Sequence, residues 1–179
     1  GAVVLESLEH ALERGATVLA EITGFGSTGD AYHMTAPEPS GEGVARAMRQ
    51  ALAEGGFTPE DLGHLNAHGT GTPANDATES KALLALCGEE AGSRIPVTSV
   101  KGTTGHTLGA AGAIEAIVTA LSVMNDCVPP TAGFAEADPE CPVSVVAEAK
   151  TGYPQKVALS NSLGFGGHNA SLALSPYRA

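Results

Sequence analysis

Apolar positions in this chain alternate between short β-prone runs and longer stretches with helical spacing. The opening Val3-Val4-Leu5 is a β-prone run with no polar cap or turn before it, as in a chain entered mid-domain. Residues 7–14 read as a short helix closed by Gly15, and residues 17–23 as a strand. A long loop is expected from Gly24 to Gly43. Val44, Ala47, Met48, Ala51 and Leu52 then recur at helical spacing until the Gly55-Gly56 pair. Thr58-Pro59-Glu60 has the form of a capped short helix with proline in its first turn, and residues 62–67 form a brief buried strand. Residues 73–86 predict a helix, 95–100 a strand, and the small-residue stretch 106–125 a long buried helix. Residues 143–147, 156–161 and 170–174 supply the last strands. Alternating strands and helices predict an α/β layered fold, with no repeat or low-complexity tract.

Composition narrows the function. A length of 179 residues suits about one domain with a full core, and 23 Gly with 11 Pro point to many turns and close-packed small residues. Twenty acids against 9 bases leave a formal charge of −11, which repels a phosphate backbone and an anionic membrane alike. No apolar run approaches a membrane span, and no basic stretch precedes an apolar signal core, so a soluble cytoplasmic protein is expected. Cys87, Cys127 and Cys141 have no C-x-x-C spacing, so reduced thiols are expected instead of a disulfide framework or zinc site.

Four segments carry candidate chemistry. In Asn66-Ala67-His68-Gly69-Thr70-Gly71-Thr72-Pro73, a histidine stands where a strand yields to a glycine-bearing loop, a common active-site position. Alone, it could equally be a histidine satisfied by a nearby carbonyl. In Lys101-Gly102-Thr103-Thr104-Gly105-His106, a lysine and a second histidine precede the long helix, whose N-terminus would favour a neutral imidazole at His106. The lysine precedes the glycines, so the segment lacks the spacing of a phosphate loop. The run Gly109-Ala110-Ala111-Gly112-Ala113 is expected to pack against a neighbouring helix. Asn161-Ser162-Leu163-Gly164-Phe165-Gly166-Gly167-His168 reads as a turn between two strands, either a tight hairpin with a buried Phe or a loop offering a backbone N–H to an oxyanion. Asp30-Ala31-Tyr32-His33-Met34-Thr35 lies in the long loop, as a lid or a solvated connection. Glu79 and Glu115 fall in apolar helical surroundings and need partners if buried, with Lys101 expected to pair with Glu79. A structural cation held by Asn66, Glu79, Glu115, Ser160 and Asn169 is the alternative to an ordinary salt-bridge network.

Taken together and in this order, the four segments resemble the C-terminal half of a β-ketoacyl-acyl-carrier-protein synthase, of the elongating synthase II type within the thiolase-like condensing enzymes. The resemblance spans nearly the whole chain. It implies a layered thiolase-like fold whose mixed five-stranded sheet is flanked by helices. It also implies that residues 1–27 end an N-terminal half, while residues 28–179 form the C-terminal domain.

By the same resemblance, the activity would be an acyltransferase reaction of fatty-acid or type II polyketide assembly, the decarboxylative condensation of an acyl-enzyme with malonyl-carrier protein. His68 and His106 would bind the malonyl thioester carbonyl and stabilise the enolate, and Lys101 would support them electrostatically without acting as a base. Phe165 would gate the site and lend its N–H to an oxyanion hole, with Gly164 and Gly166 along the substrate path and Asp30 and His33 in a second gating loop. Thr70 and Thr72 would hold the phosphopantetheine arm that carries the substrate, and no tightly bound cofactor is implied.

The catalytic cysteine of the family belongs to the N-terminal half, and none of the three cysteines here has its strand-to-helix setting. This chain alone is therefore expected not to condense. The implied partners are the N-terminal half, the carrier protein and a second copy of the complete enzyme. An acidic carrier protein would need a local basic patch, for which Arg46 and Arg49 are candidates. Two departures bear on acyl preference: Leu163 stands where many members have an aromatic residue and His168 where many have threonine. A chain-length-factor-like partner without chemistry remains the main alternative, and such partners usually lose the His and Lys set. A thiolase would require a cysteine near the last glycine loop, where none occurs.

Overall fold

A computed structural model describes residues 1–178. Ser7 caps α1 (Leu8–Glu13) by accepting the N–H of His10. The elements that follow are β1 (Glu21–Gly29), α2 (Glu42–Glu54), β2 (Leu62–Asn66), α3 (Pro73–Cys87), α4 (Glu89–Gly92), β3 (Pro96–Thr98), α5 (Lys101–Thr104) and α6 (Ala111–Met124). Short strands β4 (Cys127–Val128), β5 (Ser144–Val145) and β6 (Lys150–Thr151) precede the hairpin of β7 (Val157–Gly164) and β8 (His168–Ser175).

The main sheet has the order β1-β8-β7-β2-β3-β5. Strands β7, β2, β3 and β5 run parallel, and β8 is antiparallel to both of its neighbours. The expected five-stranded mixed sheet is thus present, extended at one edge by the two-residue β5. Helices α2 and α3 cover one face, where Met48, Leu52, Leu65, Leu83 and Leu159 form the apolar core. Helix α6 covers the other face, against β7 and β8.

Three expectations are corrected. The first strand lies at Glu21–Gly29 instead of 17–23, and the loop after it begins only at Asp30. Gly24 and Gly26 read as loop residues, but they are strand positions pressed on α2: a Cβ would lie 2.0 Å from the Ala51 carbonyl oxygen at Gly24 and 1.8 Å from that of Ala47 at Gly26. Accordingly, Gly26→Ala should separate β1 from α2 at a cost of about 3 kcal/mol, read as a lower midpoint in thermal unfolding. Residues 3–5 form no strand, because no neighbouring strand offers a ladder, and Val4 is 90% exposed.

The third correction concerns the long helix. It begins at Ala111, after a 3₁₀ turn at Leu108–Ala110 in which Leu108 takes a left-handed φ of 52°. His106 therefore stands in a loop and not at a helix N-terminus. Helix α6 is also only partly buried, with Ile117, Leu121 and Met124 exposed. Its small N-terminal residues meet the sheet instead of a helix, since a Cβ on Gly112 would come 3.3 Å from Ser162 Oγ on β7.

Candidate active site

The parallel strands β2, β3 and β7 end at the same edge of the sheet, and the candidate residues follow those ends. A strand end leaves its last backbone groups unpaired by the sheet, so side chains must hold the loop. After β2, Glu79 on α3 does this. Its carboxylate accepts the backbone N–H of His68 at 2.9 Å and of Gly69 at 2.7 Å, together with Asn75 Nδ2 at 2.9 Å and Asn161 Nδ2 at 3.4 Å. Burial raises the Glu79 pKa against the pull of these donors. Ser99, after β3, donates to the Gly69 carbonyl at 2.8 Å. Gly69 has a φ of +46°, and a Cβ there would lie 2.5 Å from Ser99 Cβ.

Lys101 does not pair with Glu79, which has no cation beside it. The buried ammonium is held by Glu115 of α6 and by the His68 carbonyl, and it lies 3.3 Å from His68 Nδ1. Glu79 sits on the α3 side of the sheet and Glu115 on the α6 side, so a lysine entering from the β3 end meets Glu115. Because an ammonium only donates, His68 Nδ1 must accept and the ring proton sits on Nε2. Burial first, then Lys101 and His106, push the His68 pKa down to about 3, so the ring is neutral at pH 7.

His106 stands against it edge-to-face, ring centroids 5.2 Å apart and planes at 83°. Its Nδ1 accepts the Leu108 backbone N–H at 3.3 Å, which again leaves the proton on Nε2. That local contact, and not a helix dipole, selects the tautomer. Two neighbouring imidazoles, each presenting an Nε2–H, are suited to hydrogen-bonding one developing oxyanion.

Phe165 tops the β7–β8 hairpin and is 78% exposed, so it is not the buried Phe of a plain tight turn. Gly166 donates to the Met34 carbonyl at 2.7 Å, and Asp30 N–H to the Gly167 carbonyl at 2.8 Å, which joins the hairpin turn to the 30–41 loop. Asp30 organises that loop: its Oδ1 accepts Asn169 Nδ2 at 2.8 Å and its Oδ2 the Glu38 N–H at 3.1 Å. His33 Nδ1 accepts the N–H groups of Thr35 at 3.1 Å and Ala36 at 3.2 Å. Thr70 and Thr72 share a hydroxyl contact of 2.9 Å at the loop after β2. Gly164 and Gly166 flank Phe165, and Gly166 takes a φ of +86°.

A pocket of about 530 Å³ opens beside Thr70, Lys101 and His106 and runs between α3 and β3 toward Leu65, Val97 and Val143. Cys141 lines it, but burial raises its thiol pKa, and burial together with Glu60 pushes Cys87 up to about 11. Neither is poised as a thiolate.

The oxygen set expected for a cation divides. Both Glu79 oxygens are occupied by donors, and Asn169 serves Asp30. Asn66 Oδ1 and Glu115 Oε2 are buried without a partner, as is Asn161 Oδ1, next to Ser160. Asn66 touches the Glu115 backbone, whereas Asn161 lies with Glu79 on the α3 side, so Asn66 Oδ1 and Glu115 Oε2 are the neighbouring oxygens open to a hard cation. No cluster of three or more His, Cys, Asp or Glu residues placed for a metal occurs among the described residues.

Sequence reasoning missed Ser99, Asn75 and the Glu115–Lys101 pairing; the need of Glu115 for a partner was its only signal. It also passed over His64, fully buried on β2, where burial lowers the pKa to about 3. A histidine with an ordinary pKa of 6.5 when unfolded and about 3 when folded binds fewer protons in the folded state. Stability should therefore rise with pH through this window and be lost as pH falls, by about 2 kcal/mol between pH 7 and pH 5 from this ring. Unfolding midpoints measured across that range should show a shallower slope in His64→Gln.

A buried His68 backed by Lys101 and an exposed His106 stand together at the parallel-strand ends of a β3-β2-β7-β8-β1 sheet, and that layered mixed sheet is of the thiolase-like class. Residues 19–135 match the family described as β-ketoacyl synthase, C-terminal domain. The chain belongs to that family. It is 50% identical over its whole length to 3-oxoacyl-[acyl-carrier-protein] synthase 2 of Staphylococcus aureus (strain COL), of which it covers 43%. The ketosynthase structure titled ishigamide ketosynthase/chain length factor superposes with a TM-score of 0.90 at 41% identity, over 97% of this chain and 42% of that one. A type II polyketide ketosynthase in complex with its acyl-carrier protein (AntDE:AntF) gives 0.91 at 37% identity, over 97% and 42%. The chain thus spans less than half the length of these relatives.

Proposed function

We propose that this chain supplies the enolate-stabilising side of a β-ketoacyl-acyl-carrier-protein synthase, in which residues 1–27 close an N-terminal half and residues 28–179 form the C-terminal domain. The observation that carries the proposal is the edge-to-face pair of His68 and His106, in each of which Nδ1 is taken up by a donor and Nε2–H is left to donate. Both Nε2–H groups donate to the malonyl thioester carbonyl. As the bond to the carboxylate breaks, its electron pair moves into the thioester as an enolate and carbon dioxide leaves. The donors strengthen as charge develops on that oxygen, which is the condition for lowering the barrier. The enolate carbon then attacks the acyl thioester held by a cysteine outside this chain, and that thiolate departs.

Lys101 is not a base in this scheme. Burial first, and then its ammonium set against Glu115, keep the His68 ring neutral, and the ammonium at Nδ1 selects the donating tautomer. A structural cation would satisfy the unpartnered oxygens Asn66 Oδ1 and Glu115 Oε2. Phe165, Gly164 and Gly166 gate the entrance together with the Asp30–His33 loop, and Thr70 and Thr72 line the path of the phosphopantetheine arm. No other tightly bound cofactor is required.

The exposed apolar residues Ile117, Leu121 and Met124 of α6, with Val4 and Leu5, support docking of the N-terminal half on this side. Arg46 and Arg49 share an exposed face of α2, with Arg46 Nη2 3.5 Å from the Gly29 carbonyl beside the gating loop, and would receive an acidic carrier protein. The complete enzyme would be a homodimer. No helix among the described residues is long and apolar enough to cross a membrane.

The test is release of carbon dioxide from malonyl-carrier protein by the complete synthase with its nucleophilic cysteine replaced. Decarboxylation that persists without condensation supports this division of labour. A complete synthase with neither activity would favour the chain-length-factor-like alternative.

A further inference from the structure

Strand β2 presents His64 and Asn66 at alternate positions, toward α6, and leaves Leu65 for the apolar core, while His68 follows in the loop just beyond the strand. Helix α6 answers with Ser122, Thr119 and Glu115, spaced three and four residues apart on one buried face. The two periods meet as a ladder. At the top, Lys101 joins the His68 carbonyl to Glu115. In the middle, Asn66 Nδ2 donates to the Glu115 carbonyl at 3.1 Å and to Thr119 Oγ1 at 3.0 Å. At the bottom, His64 Nε2 lies 2.9 Å from Thr98 Oγ1 of β3, and His64 Nδ1 lies 3.4 Å from Ser122 Oγ.

The tautomer at the lowest rung follows from its partners. Ser122 gives its proton to the Cys127 carbonyl, so it accepts from His64 Nδ1–H, and His64 Nε2 accepts from the Thr98 hydroxyl. Gln155 Nε2 closes the cluster on the Cys127 carbonyl at 3.0 Å. His64, Thr98, Ser122 and Gln155 are all buried.

This face of α6 is otherwise poor in packing that could fix its position along the strand. Among its apolar residues only Val123 is both large and fully buried; Ile114 and Val118 are half-buried, and the buried Ala111 and Ala116 are small. Apolar contact is non-directional, whereas hydrogen-bonded rungs specify a register. A slip of one residue would move Glu115 by about 1.5 Å relative to Lys101.

We propose that His64 is a positioning residue: with Ser122 and Thr98 it forms the lowest rung of a polar ladder that fixes the register of α6 on β2, and so holds Glu115 against Lys101 beneath His68. The catalytic consequence rests on the reading of His68 and Lys101 given above.

The experiment compares His64→Leu, His64→Gln and Val123→Ala in the complete synthase. Leucine removes the rung, glutamine can accept from Thr98 while donating to Ser122, and Val123→Ala weakens the same helix without touching the ladder. Malonyl decarboxylation should fall roughly 10- to 100-fold in kcat for His64→Leu. KM should stay within about twofold, and His64→Gln should keep most of the activity. Val123→Ala, although destabilised, should retain kcat and leave the His68 ring nitrogen resonances in place, while His64→Leu should shift them. Wild-type kcat and unmoved His68 resonances in His64→Leu would overturn the proposal. An equal loss in Val123→Ala, or no recovery in His64→Gln, would do the same. If His64→Leu does not fold, Ser122→Ala removes the same rung from the helix side and is judged by the same readouts. A wild-type synthase without decarboxylation would sink the functional reading, whereas the His68 resonances would still decide the ladder.

Discussion

Replacing His68 by alanine in the complete synthase is expected to lower malonyl decarboxylation about 10²- to 10³-fold, the usual loss for one donor to a developing oxyanion. The fall should appear in kcat more than in KM, because the donated hydrogen bond gains strength as the enolate forms. His106→Ala should behave similarly. The double variant should lose less than the product of the two, since both rings serve one oxygen. The physical warrant is the protonation state. His68 is held neutral with its folded pKa near 3 by burial, Lys101 and His106, and the Lys101 ammonium occupies Nδ1. An acid limb of the pH–rate profile above pH 5 should therefore not belong to His68. Lys101→Met should make that ring easier to protonate, while burial, the larger cause, still holds it below the ordinary histidine value. Decarboxylation near the wild-type rate in His68→Ala would remove the enolate role.

The second large effect is structural and concerns Glu79. Glu79→Ala leaves the His68 and Gly69 amides and the Asn75 and Asn161 side-chain donors without their acceptor inside the protein. Buried donors left unpaired cost about 1–3 kcal/mol each before relaxation, so a net loss of roughly 3–5 kcal/mol is expected. In a chain of this size, that corresponds to a thermal midpoint lowered by roughly 10 °C or more. Glu79→Gln is the sharper test. It keeps the shape, but sets an amide NH₂ against a backbone N–H at either His68 or Gly69, so it should fall between the wild type and Glu79→Ala. A Glu79→Gln protein as stable as the wild type would show that the carboxylate is not what anchors the loop after β2.

The alternation of periods along the sequence placed α2, α3, β2 and the last hairpin close to where they lie, because each has one apolar face or run and clear glycine or proline boundaries. Glycine misled twice, for one reason: a residue without a side chain signals both a turn and a close approach. At Gly24 and Gly26 the approach of α2 decides, and no local pattern separates the two meanings. Leu108 broke the expected helix before Ala111 through a backbone conformation that leucine rarely takes, which spacing cannot reveal.

At the candidate site, the residue types and their strand-end settings were readable for His68, Lys101 and His106. The partner of Lys101 was not. Glu79 and Glu115 look alike in sequence, each an acid within an apolar helix, and only the side of the sheet on which each helix packs separates them. His64 went unnoticed for a related reason. A lone histidine in an apolar run has no meaning until α6 lays Ser122 across it.

The most direct test of the account is a condensation assay with malonyl-carrier protein and an acyl donor, run on the 179-residue chain alone and again with the N-terminal half of the synthase added. No condensation is expected from the chain alone, and 3-oxoacyl product is expected once the two parts assemble, lost again in His68→Ala. Product from the chain alone, or none from a verified assembly, would contradict this expectation.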